Sequence, residues 1–164
     1  MNETMDEHPR RLMRRKDREI TDRSEIDALI RSQKLMHLAL VDGDRPFLVP
    51  VFYAFDGAAL YFHSASAGTK IEILKRNQNV CFEIGDWQGI IESGVACDFE
   101  AKHRTVIGFG RAFLVDDEAE KITALDRLVA NFTAKKFEYP KANLNCTRVI
   151  RIEIVSVKGK QHGF

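Results

Sequence analysis

The architecture of this chain follows from residues 35–63, LMHLALVDGDRPFLVPVFYAFDGAALYFH, where short apolar segments alternate with turn-forming residues. The segments are rich in β-branched and aromatic side chains, and the turns Asp42-Gly43-Asp44 and Phe55-Asp56-Gly57 separate them. This pattern is typical of strands joined by tight antiparallel turns. We therefore predict an antiparallel meander of four strands: Leu35–Val41, Pro46–Ala54, Ala58–His63 and Val80–Ile84.

Two longer segments later in the chain also have the pattern of strands. They are Thr105–Val115 and Thr147–Val157, and in the second of them isoleucine alternates with charged residues, so its two faces differ. The segment Gly85–Phe99 has no clean period. It predicts a long surface excursion that serves as a lid or as a dimer contact.

Three segments have the spacing or the caps of helices. Asp22-Arg23-Ser24-Glu25 has the capping-box pattern and opens a helix that runs through about Ser32. Lys70–Arg76 predicts a short helix closed by Asn77 in the left-handed conformation. A later amphipathic helix carries four apolar residues on one side: Ile122, Leu125, Val129 and Phe132.

Many short strands with few helices favour a mainly β protein, a β-barrel with flanking helices that is closed or nearly closed. Pro50 lies in the middle of the apolar run Phe47–Tyr53. Proline cannot donate to a ladder, so we expect this strand at an edge or a bulge. Backbone groups near Pro50 would then be available to a planar ligand, although an ordinary edge proline accounts for the feature equally well.

The composition indicates one well-buried domain without a strong overall field. The chain has 164 residues, of which 45% are hydrophobic, and a formal net charge of +1. We divide it into a basic, flexible N-terminal arm, residues 1–20, and one domain, residues 21–164. The near-neutral charge selects neither nucleic acid nor an anionic membrane as partner. The arm is better explained as a solvated tail or a dimer-packing segment than as a nucleic-acid contact.

The three cysteines, Cys81, Cys97 and Cys146, are odd in number and widely spaced, which argues against a disulfide framework and a zinc site. A reducing cytoplasm fits this pattern best. No apolar run approaches about 20 residues, and charges stand where a signal peptide needs its apolar region. We expect a cytoplasmic protein that does not span the membrane and holds no metal, since His37 and His103 have no ligand spacing with His63.

The junction from Ser64 to Lys70 can bind a phosphate, because it lies between an apolar strand and the start of a helix. The hydroxyls of Ser64, Ser66 and Thr69, the Lys70 ammonium and the first N–H groups of the helix can converge on one anion. The order of Thr69 and Lys70 is not that of a Walker A loop, so triphosphatase chemistry is not indicated. The alternative is an ordinary helix start with a solvated lysine.

His63 ends the strand beside this junction and can donate to a phosphate or polarise a substrate. A structural histidine is an equally good interpretation, because the sequence places no acidic partner near it. No nucleophile motif or carboxylate pair is evident, so any chemistry is expected to come from a bound cofactor. The catalytic residue stays unknown, with His63 possible.

Five segments, in order along the chain, resemble the pyridoxamine 5′-phosphate oxidase-related FMN-binding proteins, and most of all their nitroimidazole resistance branch. The segments are Arg14–Ile20, Leu48-Val49-Pro50-Val51, Leu60-Tyr61-Phe62-His63-Ser64-Ala65, Gly68-Thr69-Lys70 and Arg104–Gly110. The resemblance implies a six-stranded antiparallel split barrel with Greek-key connections. It also implies a homodimer with two FMN sites between the subunits.

The resemblance also assigns roles to residues of the site. The strand Val49-Pro50-Val51-Phe52 would run along the isoalloxazine ring. The residues Phe62, His63, Ser64, Ala65, Thr69 and Lys70 would surround the ribityl chain and phosphate, and Arg104-Thr105 would contribute from the strand after the excursion.

Four functions are compatible with these observations. The first is an FMN-dependent oxidoreductase that takes electrons from a reduced nicotinamide and passes them to a small acceptor such as a nitroimidazole or another nitroaromatic. The second is a flavin-binding or flavin-sequestering protein without turnover. A pyridoxamine 5′-phosphate oxidase is less favoured, because the C-terminal Val157–Lys160 has no counterpart of its basic substrate-binding residues. The weakest is a barrel that binds single-stranded nucleic acid through the basic arm.

Overall fold

The computed structural model describes residues 13–164, which form eight strands and four α-helices. The strands are β1 (Glu19–Ile20), β2 (Leu35–Asp42), β3 (Arg45–Phe52), β4 (Ala54–Phe55), β5 (Ala59–Ala65), β6 (Asn79–Ile91), β7 (Glu100–Leu114) and β8 (Thr147–His162). The helices are α1 (Arg23–Ser32), α2 (Thr69–Arg76), α3 (Glu118–Ala130) and α4 (Lys141–Cys146).

All strand pairs in this region are antiparallel, which confirms the mainly β fold with flanking helices. The sheet order is β3-β2-β6-β7-β8-β5-β4, with β1 paired to β8. Six strands are long, as the resemblance implies, while β1 and β4 have two residues each. Strands β5 to β8 form a Greek key, because β6, β7 and β8 are successive neighbours and β5 lies beside β8.

The predicted strand order of the meander is wrong, although both of its tight turns form hairpins: the turn at Gly57 joins β4 and β5 as an antiparallel pair. β2 pairs with β3 across the turn at Gly43, but its other neighbour is β6, and β5 pairs with β8. Tyr53 interrupts the segment that was expected as one strand and separates β3 from β4. Apolar periodicity identifies strands, but it does not specify which strands pair.

The sheet curls into a split barrel without closing. β3 and β4 stand at opposite ends of the sheet order, yet only Tyr53 separates them in the chain, so the two sheet ends lie near each other. The Tyr53 side chain is buried, and its hydroxyl donates to the Ile30 carbonyl of α1 at 2.5 Å. Among the strands of residues 13–164, β3 pairs only with β2, so it is an edge strand, and the prediction that Pro50 lies on an edge strand is confirmed.

The core fills the inside of the curled sheet, where α1 and α2 also contribute apolar residues. Isoleucines of β8 point inward at Ile150 and Ile152, while Arg151 and Glu153 point outward, as the alternation predicts. Gly108 of β7 lies directly opposite Phe82 of β6, and the fully buried ring occupies the space above the glycine. The Phe82 ring thus fills the space that a side chain at position 108 would otherwise occupy.

The first half of the predicted irregular excursion Gly85–Phe99 is regular. β6 continues to Ile91 and pairs with β7 as far as Glu100, with a register shift between Trp87 and Gly89. The bulge explains why the sequence lacks a clean period there, because one extra residue reverses the alternation. The segment still lies at the surface, where Trp87 and Ile90 are exposed.

The helices begin close to where the caps predict. The Asp22 side chain accepts from the Ser24 N–H at the start of α1. α2 begins at Thr69, and Asn77, the residue that follows its last turn, is extended with φ −143°, so the predicted left-handed cap is wrong.

The N-terminal arm is only partly within the described region. Residues 1–12 of the predicted arm lie outside the described residues. Its last residues belong to the folded domain, because Glu19 and Ile20 pair with β8 and Ile20 is buried.

Candidate functional site

The junction between β5 and α2 is a three-residue loop, Ser66-Ala67-Gly68. Gly68 has φ +131°, a conformation that favours glycine, and a side chain there would point into open space. No side chain of residues 13–164 caps α2, in contrast to α1 and α3, which Asp22 and Asp117 cap. The first N–H groups of α2 therefore face a shallow, open surface where an anion can accept from them.

Lys70 lies in the first turn of α2, and its side chain folds back over β5. Its ammonium is 5.4 Å from the centre of the Phe62 ring, and burial lowers its pKa. Within residues 13–164 no carboxylate lies within ion-pair distance of it. A half-buried cation without a counter-ion pays a desolvation cost that a bound anion would offset.

Three residues with hydroxyl groups precede Lys70 closely in the sequence. Ser64 is half-buried at the end of β5, whereas Ser66 and Thr69 are exposed. Ala65 is also exposed. These short side chains leave the loop accessible to a ligand as large as a phosphate.

His63 lies on β5 opposite Val149 of β8. Burial lowers its pKa, and the positive charge of Lys70 lowers it further. The imidazole is therefore neutral at pH 7, with one donor and one acceptor nitrogen. It can hydrogen-bond a neutral polar group or a phosphate oxygen, depending on its tautomer.

The β3 edge passes near the same region. Val49 is half-buried, Val51 is buried, and Pro50 lies opposite His37 of β2. Phe52 is 54% exposed and stacks edge-to-face on Phe132, with 5.2 Å between ring centres. The edge thus presents apolar side chains and unpaired backbone groups to one side of the barrel.

A cavity of about 320 Å³ connects the end of β3 to β5. The β-strands contribute Phe52, His63 and Thr147, and the remaining wall comes from α3, α4 and the segment between them. Its lining residues are Phe52, His63, Leu125, Leu128, Val129, Phe132, Tyr139, Asn143, Leu144 and Thr147.

Sequence reasoning missed most of this cavity wall. Of the predicted apolar stripe of α3, Leu125 packs against the core and also lines the cavity, whereas Val129 and Phe132 only line the cavity. The buried residues of α3 are Lys121, Ala124 and Leu128. The sequence did contain a signal for the cavity: the apolar face of α3 is wider than is needed to cover the core. The second row of apolar residues on this face lines the cavity.

Arg104 and Thr105, which were predicted as site residues, lie far from Lys70 and His63 within one chain. Arg104 pairs with Gln161 near one end of β8, whereas His63 pairs with Val149 near the other. Arg104 lines a separate cavity of about 370 Å³ below α1, and its guanidinium is 4.0 Å from the centre of the Phe164 ring. Its Nε is buried and has no hydrogen-bond partner among residues 13–164. One chain therefore does not bring Arg104 to Lys70.

Two further observations narrow the kinds of site in the described region. No group of three or more His, Cys, Asp or Glu residues between positions 13 and 164 has the geometry to hold a metal ion. None of the helices formed by these residues has the length and apolarity needed to cross a membrane.

The described residues thus form a split barrel with an edge strand at β3, an uncapped helix start at α2 and an apolar cavity beside it. The sequence profile of the pyridoxamine 5′-phosphate oxidase family matches residues 22–161. The chain belongs to this family.

Solved structures with the same fold include several flavin-binding proteins. A proposed 5-nitroimidazole antibiotic resistance protein from Bacteroides thetaiotaomicron is 26% identical, with a TM-score of 0.76 over 87% of this chain and 85% of that one. The flavocytochrome Anf3 from Azotobacter vinelandii is 24% identical, with a TM-score of 0.84 over 93% and 73% of the two chains. An FAD- and heme-binding protein from Mycobacterium smegmatis is 18% identical, with a TM-score of 0.80 over 90% and 74%.

One curated relative has a similar sequence. The uncharacterized protein RA0666 of Rhizobium meliloti is 28% identical over 81 residues, which are 46% of this chain and 53% of that protein. The match thus spans about half the length of the curated relative.

Proposed function

We propose that this protein binds FMN and acts as an oxidoreductase that passes electrons to a small acceptor. The observation that carries the proposal is the half-buried Lys70 ammonium, which has no carboxylate partner in the described region and lies at the uncapped start of α2. A phosphate dianion supplies the missing charge there. Family membership and the flavin-binding structural neighbours support the same cofactor class.

The residues present fit a flavin mononucleotide. Lys70 and the first N–H groups of α2 would hold the phosphate, with Thr69 and Ser64 as hydroxyl donors. His63 and Ala65 would lie along the ribityl chain, whereas the Phe62 side chain is fully buried in the core and would contribute only its backbone. The edge strand Val49-Pro50-Val51-Phe52 would face the isoalloxazine ring with apolar side chains and unpaired backbone groups.

When bound, the flavin supplies the electron-transfer chemistry. The protein supplies binding, orientation and exclusion of water. His63 is neutral at pH 7, so it would donate or accept a hydrogen bond without adding charge beside the ring. The donor that we propose is a reduced nicotinamide, and the acceptor is a nitroaromatic such as a nitroimidazole, by analogy with the Bacteroides neighbour.

The flavin site would be completed by a second copy of the chain. Arg104 and Thr105 lie at the opposite end of β8 from the residues that pair with His63. If both sets serve one cofactor, as the family resemblance implies, they come from different subunits. The unpartnered Arg104 Nε supports this, because it is a buried donor that a ligand or a second chain would satisfy.

The decisive experiment is the visible absorption spectrum of the purified protein, followed by identification of the released chromophore. Anaerobic addition of a reduced nicotinamide should bleach the bound flavin, and a nitroimidazole or a quinone should restore its colour over repeated cycles. A flavin that the nicotinamide does not reduce, or that passes electrons only to oxygen, would identify a flavin-sequestering protein instead. Absence of any bound or bindable flavin would overturn the proposal.

A further inference from the structure

The cavity beside His63 is lined by uncharged residues, although the family is named after a phosphorylated substrate. None of its ten lining residues is Lys, Arg, Asp or Glu. Leucine, valine and phenylalanine side chains make up most of the wall, and a volume of about 320 Å³ is at the small end of the range for ligand pockets. A charged group placed inside would lose its hydration, and the lining itself supplies no counter-ion. Three ammonium groups lie just outside the lining: Lys34 faces the Phe132 ring, Lys70 lies beside His63, and Lys121 already donates to the Leu144 carbonyl.

The polar groups of this cavity are few. The Tyr139 hydroxyl is already used, since it donates to Asp126 at 2.9 Å, and the Thr147 hydroxyl donates to the Asn143 carbonyl at 2.9 Å. The Asn143 side-chain amide and the His63 imidazole make no hydrogen bond within residues 13–164. These two neutral groups can orient a ligand that carries one or two polar atoms.

An aromatic pair stands at the mouth of the cavity. Phe52 and Phe132 meet edge-to-face at an interplanar angle of 78°, although they are 54% and 57% exposed. Aromatic rings of this kind stack favourably on a third ring. The pair also joins β3, the strand proposed to face the flavin, to the C-terminal end of α3.

We propose that this cavity binds the neutral aromatic ring of the electron acceptor and rejects acceptors that carry a phosphate or carboxylate. That the ligand is an electron acceptor rests on the proposed function. The preference for a neutral ring rests on the residues of the cavity alone. The ring would lie between Phe132 and Val129, with a polar substituent toward Asn143 and His63. Lys70 does not line the cavity, so the phosphate position and the cavity would be adjacent and would meet at His63.

The first test compares two probes of similar shape and different charge. Dissociation constants of 4-nitrotoluene and 4-nitrobenzoate are measured on the purified protein by ligand-observed NMR, with flavin content determined beforehand. We expect 4-nitrobenzoate to bind at least tenfold more weakly, because its carboxylate finds no counter-ion in the wall. Equal affinities, or tighter binding of the benzoate, would overturn the proposal.

The second test fills the cavity. Val129→Trp should abolish binding of 4-nitrotoluene while the flavin content stays unchanged, whereas Ala119→Trp, on an exposed position of the same helix, should alter neither. Phe132→Ala is a milder variant at an exposed site and should weaken the probe several-fold, so the proposal stays testable if Val129→Trp fails to fold.

The outcomes separate this inference from the proposed function. Probe binding that is sensitive to Val129→Trp in a protein without flavin would support the cavity and contradict the flavoprotein. Loss of flavin together with the probe would show that the flavin ring itself occupies the cavity and would overturn the inference. Probe binding that is insensitive to both Val129→Trp and Phe132→Ala would overturn it as well, since the ring would then lie elsewhere, for example between two copies of the chain.

Discussion

Lys70 differs from the other basic residues of α2 because no carboxylate of residues 13–164 pairs with it. The neighbouring basic residues of α2 are paired, Lys75 with Glu72 at 2.9 Å and Arg76 with Asp42 at 2.8 Å. Lys70 faces the Phe62 ring and His63 instead. Its ammonium is partly buried, and this loss of hydration lowers its pKa.

The first prediction concerns the phosphate of the cofactor. Lys70→Ala should weaken FMN binding by about ten- to a hundred-fold, because a charge-assisted bond to a partly desolvated phosphate contributes about 1.5–3 kcal/mol. Riboflavin, which has no phosphate, should bind with nearly unchanged affinity. Fluorescence titration of both flavins measures the difference.

Lys75→Ala is the matched control for this prediction, since Lys75 lies on the same helix and is exposed and paired with Glu72. It should leave both affinities unchanged. Equal losses for FMN and riboflavin in the Lys70 variant would remove the phosphate assignment.

The second prediction concerns the ionisation of His63. Its pKa is lowered by burial and by Lys70, so Lys70→Met should raise it toward the ordinary value without reaching it, because burial remains. NMR titration of the imidazole signals, with His63→Gln to identify the resonance, measures the shift. The folded state binds this proton more weakly than the unfolded chain, so protonation opposes folding and stability falls as the pH drops through the folded pKa.

Lys75→Met should not move the His63 titration, as its charge is paired on the exposed side of α2. Addition of FMN to the unsubstituted protein should raise the His63 pKa, because a bound phosphate cancels the Lys70 charge. A titration that is the same in the Lys70 variant would show that the two side chains do not interact.

At the scale of elements, the third prediction tests the pairing of β6 with β7. A Cβ on Gly108 would overlap the buried Phe82 ring that lies directly opposite, so Gly108→Ala should destabilise the protein by about 1–3 kcal/mol. Chemical denaturation measures the change. The matched control is Gly94→Ala in the connection between the two strands, where an added Cβ meets nothing within 4 Å and the stability should hardly change.

The Gly108 pair also shows which parts of the fold are readable from sequence. Local signals succeeded: Asp22 begins α1, and the alternation around Arg151 and Glu153 sets the two faces of β8. Long-range pairing failed, because nothing in the apolar pattern of β5 distinguishes β3 from β8 as its neighbour. The bulge after Trp87 concealed the outer half of β6 for the same reason, since it breaks the period on which the prediction depends.

In the candidate site, too, residues that are contiguous in sequence were predictable, whereas residues brought together by packing were not. The β5–α2 junction is contiguous in sequence, so its hydroxyls and Lys70 were predictable together. The cavity wall combines Phe52, Val129 and Asn143, which are far apart in sequence and meet only through the packing of α3 and α4 on the barrel. Residues assembled in this way carry no local motif.

At the scale of the whole molecule, the free β3 edge and the exposed apolar residues indicate a larger assembly. Leu48 on β3 is 63% exposed, and Trp87 and Ile90 on the β6–β7 hairpin are 69% and 64% exposed. Exposed apolar surface together with an unpaired edge is typical of an interaction site. We therefore expect a homodimer that buries more than about 1,600 Å² in total. Light scattering that shows a monomer with flavin fully bound would contradict it.

The last prediction tests whether each flavin site uses both chains. Lys70→Ala and Arg104→Ala homodimers should both bind FMN weakly, because each site then lacks one cation. In a mixed dimer of these two variants, one site carries both substitutions and the other carries neither. Differently tagged chains, co-expressed and purified as the mixed dimer, should therefore bind one FMN per dimer with nearly the original affinity. Two differently tagged Lys70→Ala chains should show no such recovery, and a mixed dimer that binds no better than its parents would place the whole site within a single chain.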